Sequence, residues 1–154
     1  MYATLLALHS LMRWLVLTSL VFAIFRAYRG WLLKKSFFKL DDNARLMAAN
    51  TAHIQFLLGV TLYFISPIVN YFLQNFSTAM QERSIRFFGM EHVTMMLIGI
   101  GIISTISAKA KKKPTDEAKF KMMAIWYTIA LLIILSSIPW SFSPLISRPS
   151  FRPF

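Results

Sequence analysis

No cysteine occurs among the 154 residues, which excludes disulfides, iron–sulfur clusters, thiolate zinc sites and cysteine nucleophiles together. Acidic residues are scarce: six Asp and Glu stand against 17 Lys and Arg, for a formal net charge of +11. Charged residues of both signs make up only 15% of the chain, against about 25% in a soluble globular domain. So little charge leaves too little polar surface for a water-soluble fold of this size, and no room for a large extramembrane domain. The sequence contains no phosphate-binding loop, zinc-helix motif or nucleophile triad, and no repeat or low-complexity segment.

The chain is mainly apolar, at 56% hydrophobic residues, and these fall in four blocks at about 2–25, 46–72, 87–107 and 122–140. A helix of about 20 residues, rising about 1.5 Å per residue, crosses the roughly 30 Å hydrocarbon core of a bilayer. The predicted fold is therefore all-α: a polytopic membrane protein built as a four-helix up-down bundle, in one domain over 1–154. The first block lacks a basic leading segment and a small-residue cleavage site, and it carries Arg13, so it reads as a retained helix. Pro67 predicts a kink or local end in the second block. Pro144, Pro149 and Pro153 predict an extended tail over 141–154.

Basic residues orient the bundle. Twelve of them fall in the stretches between blocks one and two and between blocks three and four, against four (Arg83, Arg86, Arg148 and Arg152) on the other side. The positive-inside bias predicts a bacterial inner-membrane protein with both termini outside, on the periplasmic side. The alternation of aromatic and basic residues from Tyr28 to Leu40 suits a short helix along the inner headgroups. The lysines near Lys109 to Lys113 suit contact with anionic lipid, and topology signalling alone also accounts for both runs. No nucleic-acid-binding motif accompanies the positive charge.

Ionisable side chains at membrane depth are costly, so each calls for a role. All three histidines, His9, His53 and His92, fall within the blocks, together with Arg13 and Glu91. His9 lies five residues outward of the first block's centre near Trp14, and His92 five outward of the third block's centre near Leu97. Both therefore sit about 7.5 Å above the midplane, whereas His53 lies about 9 Å below it. Helices one and three run in parallel on a diagonal of the bundle, so two imidazoles can meet in its core, where helix bundles hold cofactors. The expectation is one low-spin haem b near the outer surface, with His9 and His92 as metal ligands. Gly89 and Gly99 would leave room beside His92, and Arg13, one turn from His9, would meet Glu91 or a haem propionate. His53, with Asn50, Thr51 and Gln55 near it in sequence, offers a polar patch for a quinone headgroup or a proton path, or an ordinary interhelical hydrogen bond.

The stretches LLALHSLMRW, NTAHIQFLLGVTLYFISP, RFFGMEHVTMMLIGIG and IPWSFSP resemble short bacterial four-helix membrane proteins labelled cytochrome-b-like. The resemblance covers nearly the whole chain and implies His9, His53 and His92 as haem-associated positions. Respiratory cytochrome b carries two histidine pairs, whereas three histidines here allow only one bis-histidine site. Two functional readings follow. One is a haem b electron-transfer protein or subunit that exchanges electrons with quinol or a partner protein. The other is a noncatalytic accessory subunit of a larger inner-membrane complex, with its histidines as polar packing residues. Both readings expect a lipid bilayer and other inner-membrane subunits as partners, the tail with Arg148 and Arg152 at a subunit contact, and no nucleic acid.

Overall fold

The computed structural model describes residues 1–143 and 146. It is 84% helical and has no strand among those residues. Four helical stretches are long and apolar enough to cross a membrane: Tyr2–Leu32, Lys39–Ile65, Arg83–Lys111 and Asp116–Ser137. In chain order these are α1 (Tyr2–Leu32), α2 (Lys39–Ile65), α6 (His92–Lys111, continuing from the short α5 at Arg83–Arg86) and α7 (Asp116–Ser137). The short α3 (Pro67–Gln74), α4 (Phe76–Ala79) and α5 fill the connection between α2 and α6.

Around the bundle, α1 packs on α2 and α7, and α6 packs on the same two, so α1 and α6 face each other across a diagonal. Small residues let the backbones approach: Ala23 and Ala27 of α1, Ala48 and Ala52 of α2, and Ala124 and Ala130 of α7 are all buried. Phe120, Met123 and Tyr127 of α7, also buried, fill the remaining space. The contact between α2 and α6 is the thinnest of the four around the ring.

Helix ends overrun the apolar blocks. The short headgroup helix expected between Tyr28 and Leu40 does not form: α1 continues through Arg29 to Leu32, and α2 begins at Lys39. Arginine and lysine are good helix formers, so the helices persist after the apolar residues stop. The turn between them is closed by Lys34 in the left-handed region (φ 48°), with the Lys35 N–H on the Gly30 carbonyl at 2.9 Å. At the same end of the bundle, Thr115 caps α7 by accepting the Ala118 N–H at 3.2 Å. The second block breaks at Ser66, where α2 ends and Pro67 opens α3. The polar run after Gln74 is largely helical, as α4 and α5. Most of the tail expected over 141–154, with Arg148 and Arg152, lies outside the described residues.

Candidate functional site

His9 projects from the third turn of α1, and His92 is the first residue of α6. Their rings lie across the diagonal with centroids 6.4 Å apart and planes at 73°. Immediately before His92 the helix widens into a π-helical turn over Phe87–Glu91, a local distortion frequent at functional sites. The rings of Phe87 and Phe88 pack against His92, with centroids 5.7 and 6.2 Å from its ring.

His92 is fixed by the end of α7. Its Nδ1 lies 2.8 Å from the Ser137 carbonyl oxygen, one of the last-turn carbonyls with no partner inside its own helix. A carbonyl can only accept, so Nδ1 carries the proton and donates. In the neutral ring this leaves Nε2 with a free lone pair, the form in which histidine binds metal. His9 is held differently. Gln55 of α2 donates from Nε2 to the His9 backbone carbonyl at 3.0 Å. The His9 Nδ1 and the Gln55 Oε1 are both buried without a hydrogen-bond partner among the described residues.

Both imidazoles line a cavity of about 430 Å³ among α1, α2 and α6, within the range of small-molecule sites. Its walls are mostly apolar, and Gln55, Tyr63, Ser10 and Arg13 contribute polar atoms. Gly59 makes room for His9: a Cβ built there would lie 3.2 Å from the imidazole Cε1. The Arg13 guanidinium stacks over Trp14 and Trp140, at 5.4 and 5.9 Å from the ring centres.

Several residues singled out from the sequence lie elsewhere. Gly89 and Gly99 do not line the cavity. A Cβ at Gly89 would fall 2.3 Å from the Phe72 ring, and one at Gly99 would fall 2.9 Å from Ile134, so both serve helix packing. Glu91 pairs with Arg86 at 2.6 Å rather than with Arg13. The π turn explains that pairing, because its wider repeat brings residues five apart into register. His53 is also outside the cavity, with Nε2 2.7 Å from the Ser104 hydroxyl. Its sequence neighbours point to different partners: Thr51 to Ser19 at 2.8 Å, and Gln55 to His9. The expected polar patch around His53 is therefore dispersed.

Sequence reading missed Gln55, Gly59 and the Ser137 carbonyl as parts of this site. Gln55 and Gly59 are four apart on one face of α2, a spacing visible in the sequence. The Ser137 contact spans 45 positions and left no local trace. Among the described residues, no group of three or more His, Asp or Glu side chains gathers as a metal cage, so the two imidazoles stand as a pair. Comparison with protein-family models, curated proteins and solved structures finds no match for this chain.

Proposed function

We propose that this chain is a bacterial inner-membrane haem b protein in which His9 and His92 hold one haem, with both termini on the periplasmic side. The observation that carries the reading is the spacing of the two rings. Two imidazoles that meet across the bundle core would be able to hold one haem together. The observed separation is 6.4 Å. The free Nε2 of His92, the mostly apolar cavity walls and the room opened at Gly59 fit the same group. Bound haem would supply a one-electron couple.

The chain's own residues supply the rest. The Ser137 carbonyl orients His92 and strengthens it as a ligand. Gln55 holds the α1 backbone at His9, and Arg13 places a positive charge at the cavity wall, where a carboxylate can be met. Among the described residues there is one such site, at the end where both histidines lie, so its electrons would be exchanged there with quinol or with a partner subunit. The experiment is an absorption spectrum of protein purified from haem-replete cells. A Soret band and a reduced α-band of b type are expected, lost in His9→Ala and in His92→Ala and kept in His53→Ala. A wild-type preparation at full protein stoichiometry without Soret absorption overturns the reading.

The hydrogen bond between His53 and Ser104 favours a second reading for that residue alone, as polar packing between α2 and α6. Were all three histidines of this kind, the chain would be an accessory subunit of a larger membrane complex. The same spectrum separates the two.

A further inference from the structure

At the end of the bundle opposite the histidines, the turn between α1 and α2 encloses a second cavity of about 230 Å³. Arg26, Arg29, Lys35 and Ser36 line it, with Asp41 at its base. The Asp41 carboxylate is already committed. It accepts from Arg26 at 2.6 Å and from the Phe38 N–H at 3.0 Å, and it is 1% exposed. Arg26 is neutralised by that pair. The side chains of Arg29, Lys35 and Ser36 are exposed and engage in no hydrogen bond or ion pair among the described residues. The cavity therefore presents two uncompensated positive charges and a hydroxyl.

The turn is built to hold this arrangement. The left-handed Lys34 folds the chain back so that the Lys35 N–H reaches the Gly30 carbonyl at 2.9 Å. Next along, the Phe37 N–H is held by Asp116 of α7 at 3.0 Å, and Asp116 is itself paired with Lys119 at 3.0 Å. Lys35 and Ser36 thus sit between fixed points, facing Arg29 from the last turn of α1. Exposed Leu32, Leu33, Phe38 and Leu40 surround them. A helix of 31 residues is about 46 Å long against a hydrocarbon core of about 30 Å, so its end turns reach the headgroup layer.

We infer that this cavity is a binding site for the phosphodiester headgroup of an anionic phospholipid. Arg29, Lys35 and Ser36 take the phosphate, and the acyl chains lie on the exposed leucines and Phe38. Phosphate chemistry matches the two cations and the hydroxyl, and the apolar surround matches a lipid rather than a free ion. The site is independent of the haem reading, since it shares no residue with the histidine cavity.

The test is native mass spectrometry of the full-length protein in mild detergent, titrated with phosphatidylglycerol, phosphatidylcholine or inorganic phosphate. The double variant Arg29→Gln/Lys35→Gln is compared with Lys111→Gln/Lys112→Gln, which removes equal charge from the other basic turn. Two lost surface cations should weaken phosphatidylglycerol binding about tenfold or more in the first pair, while the second pair stays within about twofold of wild type. Phosphatidylcholine and inorganic phosphate should bind far more weakly than phosphatidylglycerol to the wild type. Equal losses in the two double variants would reduce the effect to general electrostatics and overturn the site. Inorganic phosphate binding as tightly as the lipid would make this a free-anion site and overturn the lipid assignment. A thermal unfolding scan of each variant confirms that the comparison is between folded proteins.

Discussion

At the scale of single residues, glycine has two different uses in this bundle. At Gly30, Gly89 and Gly99 a neighbouring side chain occupies the space a Cβ would need: the Phe120 ring at 2.4 Å, the Phe72 ring at 2.3 Å and Ile134 at 2.9 Å. These positions set how closely helices pack. Gly59 alone has its space taken by a histidine of the candidate site, and the 3.2 Å to His9 is a contact a small shift of the imidazole relieves. Gly59→Ala should therefore leave a haem spectrum with its bands in place. Gly59→Leu projects three further carbons into the cavity beside His9. It should remove most of the b-type α-band while the protein still inserts and purifies. An unchanged spectrum in Gly59→Leu would mean that the cavity beside His9 holds no cofactor.

At the scale of elements, the end of α1 has an expensive residue at its turning point. Lys34 adopts φ 48°, which costs an L-residue with a Cβ about 1 kcal/mol relative to glycine. Lys34→Gly should keep the Lys35-to-Gly30 hydrogen bond and raise the thermal unfolding midpoint in detergent by a few degrees. A lowered midpoint would show that the Lys34 side chain contributes more than its backbone costs. The opposite end of the bundle has a different irregularity. The π turn at Phe87–Glu91 precedes His92, contains the Gly89 carbonyl that accepts the Tyr63 hydroxyl at 3.0 Å, and aligns Arg86 with Glu91. Nothing in the hydrophobic pattern of this segment distinguishes a π turn from α-helix. Of the two partners expected for Arg13, Glu91 or a haem propionate, Glu91 is therefore taken by Arg86.

At the scale of the whole molecule, charge separates the two ends of the bundle. The end with the turns at 33–38 and 112–115 carries most of the lysine and arginine, and the histidine cavity is near the other end. In a bilayer this asymmetry should place the basic turns in the cytoplasm. Single cysteines at Ser36 and Ser77 test it directly in this cysteine-free chain. On intact cells an impermeant thiol reagent should label position 77 and leave position 36 unmodified, and the reverse pattern would invert the topology.

The four-helix architecture was legible in the sequence because spanning about 30 Å of hydrocarbon demands long uninterrupted apolar runs, and little else does. That His9 and His92 come together at one height of the bundle was legible because helix rise converts sequence position into height. Helix ends were not, because Arg29 and Lys39 are good helix formers, and composition stops marking the boundary where the apolar run ends. Only the tertiary structure decided which way side chains face around each helix axis. That rotation is set by packing between neighbours, such as Phe72 against Gly89 and Ile134 against Gly99, and it turned both glycines away from the cavity. It also brought the Ser137 carbonyl to His92, Gln55 to the backbone of His9, and Ser104 to His53. Height along a helix follows from the chain itself, whereas azimuth is settled only when the other helices arrive.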